Sequence, residues 1–192
     1  RHILDSDHDG LTKVKDRKYK RFSPHILFWE TGGHPFVWRQ AFSRELLERT
    51  GVLFDETIRY GEDLIFECEI FPLANNFAFI SDALYNYMWI REGSLMSGLD
   101  KDMNVKVNLH LDMVEIIASF WESYGLIDKY GREFLQWILE FIMVDIMENN
   151  LSDDDVISSR FIEFMKKYDL EKYSKHLSVI SKKRYKAYEN MR

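Results

Sequence analysis

Two carboxylates stand side by side at Glu62-Asp63, after Gly61 and directly ahead of the apolar run Leu64-Ile65-Phe66. A carboxylate within about 2.6 to 3.2 Å of a hydroxyl can take its proton, so the pair is a candidate general base. The same position also suits a helix start, where an acidic side chain stabilises unpaired amides and the helix dipole by about 0.3 to 1 kcal/mol. A second acidic group, Asp5-Ser6-Asp7-His8-Asp9-Gly10, admits three readings. Asp5 and Asp7 could hold a divalent ion. Asp5, Asp7, Asp9, Gly10 and Asp16 also fall at positions one, three, five, six and twelve of a calcium loop, though with Asp where the closing Glu belongs. The third reading is a plain acidic hairpin turn, since Asp and Gly are the residues turns prefer. Trp38, Trp89, Tyr85 and Tyr87 offer aromatic faces for a sugar ring or for core packing, and Arg91 a planar fork that suits phosphate. The six histidines lack paired ligand spacing, Cys68 has no His partner, and Gly32-Gly33 is too short a signal for a phosphate loop.

These residues need elements to position them. Pro35 at a helix start, then Val37, Trp38, Ala41, Phe42 and Leu46 at helical spacing, with Gly51 as a left-handed cap, predict a helix over Pro35 to Thr50. A second helix is predicted from Asp63 to Leu73, and strands at His2 to Leu4, Leu11 to Lys15, Phe77 to Ile80 and Leu84 to Trp89. Beyond residue 100 the texture changes, and helices are expected over 101–124, 131–149, 153–168 and 178–188. Ser152 with Asp155 resembles a capping box. Phe134 to Met147 is apolar on nearly every side, yet its fourteen residues include Gln136, Glu140 and Asp145. A membrane span needs about 20 predominantly apolar residues, so a buried central helix is expected.

The stretch from Val37 to Ser97 resembles bacterial inverting nucleotide-sugar glycosyltransferases with a GT-A fold, of the type that builds capsule and exopolysaccharide. The shared pieces are Trp38, Phe54, Gly61-Glu62-Asp63-Leu64, Tyr85, Tyr87, Arg91, Gly93 and Ser94, in that order, covering about a third of the chain. The resemblance implies a mixed α/β fold, mostly helical: a partial GT-A-like acceptor-side region with a few strands over 1–100, and a helical C-terminal subdomain over 101–192. It implies Asp63, with Glu62, as the catalytic group, and Trp38, Tyr85, Tyr87, Arg91 and Ser94 as substrate-binding residues. It also implies Asp5 and Asp7 as ligands of a divalent Mn or Mg ion. The donor would be a nucleotide sugar and the acceptor a glycan or lipid-linked glycan. The donor-binding half has no counterpart in this sequence, and Arg1 in place of Met suggests a boundary within a longer protein.

Length and composition fit this picture. With 192 residues, 46% of them hydrophobic, the chain can bury one sizeable core or two small ones, which excludes a disordered chain. A lone cysteine inside an apolar run is expected to be a buried thiol in a reducing, cytoplasmic setting. Residues 160–192 hold ten Lys or Arg against four Asp or Glu, while the formal charge is -6, so the rest is strongly acidic. The basic C-terminal helices, and the cluster Lys13, Lys15, Arg17, Lys18, Lys20 and Arg21, are either solvated faces or contacts to anionic lipid at the inner face of the membrane. No nucleic-acid partner is expected. The alternative from another class is a non-catalytic helical interaction module, membrane-peripheral or partner-binding. Its docking face would be Phe161, Phe164, Met165 and Tyr168 beside Lys166 and Lys167.

Overall fold

The computed structural model describes residues 14–58, 60–85 and 102–192, and divides the chain into two compact units, Arg1–Trp89 and Ile90–Arg192. The described residues are mostly helical, with two short antiparallel strands among them.

In the first unit, β1 (Arg17–Tyr19) pairs antiparallel with β2 (Phe77–Phe79), Lys18 opposite Ala78. The predicted strand at 77–80 is therefore present. The strand expected at His2 to Leu4 and residues 11–13 of the one expected at Leu11 to Lys15 lie outside the described residues; Val14 and Lys15 have no regular structure, and pairing with β2 involves Arg17 to Tyr19. Its partners hold β1 in place: Tyr19 packs edge-on against Phe79, ring centres 5.8 Å apart, and Tyr19 and Arg17 both reach the buried Glu30 carboxylate at 2.7 Å. Leu84 and Tyr85 likewise lie outside any strand.

Helix α1 (Pro24–Phe28) starts on proline, whose fixed φ suits a first turn, and buries Ile26 and Leu27. The chain then turns back through Thr31–Gly33 so closely that a Cβ on Gly33 would lie 1.8 Å from the Ile26 carbonyl oxygen. One on Gly32 would lie 2.1 Å from the Phe79 ring. The glycine pair thus serves close packing. Gly33→Ala is expected to destabilise by about 3 kcal/mol, because the obstacle is backbone and cannot rotate away. Gly51→Ala, whose Cβ meets nothing within 4 Å, is expected to cost only about 1 kcal/mol for its positive φ of 66°. Midpoints of chemical denaturation separate the two.

The helix expected from Pro35 to Thr50 is broken. Val37–Arg39 forms a single 3₁₀ turn, the chain extends, and α2 (Arg44–Thr50) starts afresh with the Ser43 hydroxyl accepting from Leu46 N at 3.2 Å. Tertiary bonds override the helical spacing. The Arg39 guanidinium donates to the carbonyls of Thr31 at 2.6 Å and His34 at 3.3 Å, and Gln40 reaches across to Glu67. Gly51 does close α2 in the left-handed conformation, its N–H on Leu47 O at 2.9 Å. Helix α3 (Glu62–Ile70) runs on into a 3₁₀ turn at Phe71–Leu73, as its sequence predicts. Its Phe66 stacks on Phe54 at 4.4 Å and meets Phe42 edge-on at 5.2 Å, and Cys68 is buried.

The second unit is helical throughout its described part: α4 (Met103–Ser123), α5 (Leu126–Phe141), α6 (Met143–Glu148), α7 (Asp155–Lys167) and α8 (Val179–Met191). Asp102 caps α4 through the amides of Asn104 and Val105. The predicted helix at 131–149 does start at 131: the turn from Leu126 is set off from it by a kink at Tyr130, whose φ of -131° and ψ of 19° are not helical, and the helix passes at Ile142 from α5 into α6. It is central as expected, with Phe134, Leu135, Ile138, Leu139, Ile142, Met143 and Ile146 all fully buried. Helix α5 packs against α4, α8 and the turn Leu170–His176, and Trp121 of α4 meets Phe134 at 5.0 Å. The cap of α7 is Asp154, which accepts from Val156 and Ile157 at 3.0 Å, and not Ser152. A carboxylate one residue before the helix reaches those amides, whereas Ser152 lies back in the turn Leu151–Asp153 and its carbonyl takes the Ser158 hydroxyl. The docking face proposed on α7 is also already used: Phe161, Phe164, Met165 and Tyr168 are at most 3% exposed, inside the unit's own core. Among the described residues, no helix is long and apolar enough to cross a membrane.

Candidate functional site

Gly61 adopts φ 78°, the left-handed region that glycine enters without steric cost, and turns the chain into α3. Glu62 and Asp63 are thereby the first two helical residues. Neither is the N-cap. Asp63 instead points outside its own helix, its Oδ2 accepting the Val37 N–H at 3.4 Å. It is half-buried, and burial raises its pKa above the usual carboxylate range. The Val37 hydrogen bond opposes that rise and the Glu62 charge adds to it.

Val37 opens the short turn that carries Trp38. The Trp38 ring lies 5.0 Å from Tyr85 and 5.4 Å from Phe36, both at tilted angles, and Tyr85 is 55% exposed. Trp38 and Tyr85 border a broad cleft of about 1010 Å³ with Arg49, Asn75, Asn76 and Asp82 among its polar lining. Asp63 and Glu62 do not line it. The structure therefore ties Asp63 to the turn bearing Trp38 and sets Trp38 against Tyr85, with Asp63 itself outside the cleft that the two rings border. Tyr87, Arg91, Ser94, Asp5 and Asp7 lie outside the described residues. Among the described residues no cluster of His, Cys, Asp or Glu could hold a metal ion.

One turn beyond Asp63 on α3, Glu67 is fully buried, and its Oε1 accepts from Gln40 Nε2. Burial pushes the Glu67 carboxyl up to about 9. The Gln40 bond, the Arg39 charge and the Phe36 amide pull it down, and Asp63 pushes it further up. Burial also lowers the pKa of His34, as does the Arg39 charge, and lowers Arg39 itself. Sequence reasoning passed over this Glu67, Gln40 and Arg39 group. The available signal was a lone carboxylate between Phe66 and Cys68, four residues after Asp63 and so on the same helical face.

Among curated proteins, the chain matches a Bacillus subtilis (strain 168) protein described as "Uncharacterized glycosyltransferase EpsJ", with 42% identity over 52 residues. Over that stretch the chain is similar to a glycosyltransferase. The matched segment is 27% of this chain and 15% of the Bacillus glycosyltransferase, so the chain spans a small part of that relative. No family model matches the chain, and no solved structure matches it significantly. The likeness is thus to a glycosyltransferase as a class, and the geometry around α3 describes a half-buried carboxylate beside an aromatic turn.

Proposed function

We propose that this chain is the acceptor-side part of an inverting glycosyltransferase of GT-A type. It would transfer a sugar from a nucleotide diphosphate sugar to a hydroxyl of a glycan or lipid-linked glycan in cell-surface polysaccharide synthesis. The observation that carries the proposal is the partial identity to a Bacillus glycosyltransferase. The placement of Asp63 beside the Trp38 turn supports it. In the proposed step the acceptor oxygen attacks the anomeric carbon, the bond from that carbon to the diphosphate breaks, and the nucleoside diphosphate leaves. The hydroxyl proton passes to Asp63, whose raised pKa makes it a better acceptor than an ordinary aspartate. Burial chiefly, and to a lesser extent the neighbouring Glu62 charge, keeps Asp63's proton affinity high. Trp38 and Tyr85 would stack on an acceptor sugar, with Tyr87, Arg91 and Ser94 as further binding residues.

The test is acceptor-dependent release of nucleoside diphosphate by the full-length protein, across uridine, guanosine and thymidine diphosphate sugars. A folded protein that releases none with oligosaccharide or lipid-linked acceptors would sink the proposal. Tyr85→Ala is expected to raise the acceptor KM by about 2- to 10-fold with kcat little changed, the worth of one aromatic face at about 0.5–1.5 kcal/mol. Its ring is exposed, so folding should be unaffected.

A further inference from the structure

Asp63 and Glu67 lie four residues apart on one face of α3, and both grip the same short turn. Asp63 takes the Val37 amide at one end, and Glu67 takes the Gln40 side chain just beyond the other. Gln40 Nε2 donates to Glu67 Oε1 and, at 3.4 Å, to the His34 carbonyl. This leaves Glu67 Oε2 and Gln40 Oε1, both buried and both without a hydrogen-bond partner. With Glu67 ionised they are two acceptors without a formed hydrogen bond, since the facing Phe36 amide is given to the His34 carbonyl at 2.7 Å, a costly arrangement away from water. A proton on Oε2 turns one of them into a donor for the other. The amide and the acid then close a ring of two hydrogen bonds, N–H to Oε1 and O–H to the amide oxygen.

We infer that Glu67 and Gln40 form such an acid–amide pair, Glu67 contributing the O–H, and that the pair fixes the turn carrying Trp38 against the helix carrying Asp63. Glu67 is then a positioning residue. Two ionised carboxylates on adjacent turns of one face would repel. A neutral Glu67 leaves Asp63 as the ionised member, so the two are pushed into different roles. The groups facing Glu67 are Asp63 and Cys68 from its own helix, and Arg39, Gln40 and the Phe36 amide from the turn. The Arg39 charge favours ionisation, and burial outweighs it. The protonation and clamping stand on geometry alone, and the consequence for sugar transfer rests on the function proposed above.

The experiment compares the full-length wild type with Glu67→Gln and Glu67→Ala. Glutamine can donate to Gln40 Oε1 and accept from Gln40 Nε2, so it reproduces the neutral pair, whereas alanine removes it. Infrared difference spectra at pH 7 are expected to show the carbonyl band of a protonated carboxylic acid in wild type that Glu67→Gln lacks. Amide exchange over residues 36–40 is expected to match wild type in Glu67→Gln and to be at least about 10-fold faster in Glu67→Ala. Stability should depend on pH in a defined direction. A carboxyl whose folded pKa is raised supports the fold fully below the usual glutamate range and loses that support as pH rises towards about 9. The melting temperature of wild type should therefore fall relative to Glu67→Gln between pH 5 and about pH 9. Absence of the acid band, or loss of protection in Glu67→Gln equal to that in Glu67→Ala, would overturn the inference and show an ionised Glu67. These readouts involve no sugar, so they hold or fail independently of the transferase reading. If transfer is observed, kcat should survive in Glu67→Gln and drop in Glu67→Ala.

Discussion

Asp63→Asn in the full-length protein is expected to lower turnover by about 10²- to 10⁴-fold while leaving the fold in place. That loss corresponds to about 3–5 kcal/mol of transition-state stabilisation. The structure makes the substitution a cleaner probe than the sequence suggested. Asp63 is not the N-cap of α3, so no capping bond within the helix depends on its charge. Its one described hydrogen bond is to the Val37 amide, and an asparagine carbonyl oxygen can accept the same N–H. The melting temperature is measured first, and a value within a few degrees of wild type licenses the kinetic comparison. A wild-type rate in a folded Asp63→Asn protein would reduce Asp63 to a strut for the Trp38 turn.

The pH profile adds a second check. Burial raises the Asp63 pKa, so kcat/KM of the wild type should climb with pH through an ionisation displaced above the usual aspartate range. The residual activity of Asp63→Asn should lack that limb. Glu62 lies next to Asp63 and contributes to the displacement, so Glu62→Gln is expected to move the limb down in pH rather than remove it. A limb that persists unchanged in Asp63→Asn would assign the titration to another group.

How far this site was legible in sequence depends on the range of the forces that build it. Asp63, Trp38 and Tyr85 could be picked out because their chemistry is local: a carboxylate at a helix start, and aromatic rings in a shared order of motifs. The α4 to α8 helices were legible for a related reason. Each buries one face against neighbours, and that face is written in the spacing of Val107, Leu111 and Val114, or of Phe161, Phe164 and Met165. The break at Gln40 was not legible, because it is imposed by Arg39 reaching back to Thr31 and Gln40 reaching forward 27 residues to Glu67. Periodicity carries no information about such partners. The register of β1 was hidden likewise, since Arg17-Lys18-Tyr19 has no apolar alternation and is fixed by Phe79 and the Glu30 carboxylate. Glu67 was missed because a buried carboxyl looks, in sequence, like any helical glutamate until its neighbours are known. What turns it into a site feature is the pairing across the turn.

Ile138→Asp is expected to be the most destabilising single change in the helical unit, by at least about 4 kcal/mol, with a fall in melting temperature of roughly 15–30 °C. Ile138 sits in α5, fully buried, between turns that carry Phe134, Leu135 and Ile142, all equally hidden from solvent. Helix α5 is enclosed by α4, α8 and the Leu170–His176 turn, so a carboxylate at this position has no outward route to water. Part of the penalty comes from desolvating the charge, and part from the buried branched side chain that is lost, worth about 1.5–3 kcal/mol on its own. The control is a second apolar-to-aspartate change of the same chemistry at the other extreme of burial. Val179 is 87% exposed and is the first residue of α8, where a negative charge is favoured by about 0.3–1 kcal/mol. Val179→Asp should therefore be neutral or slightly stabilising. Similar losses for both variants, in thermal melts at one pH, would show that charge content rather than burial at α5 controls stability, and the central position of that helix would have to be abandoned.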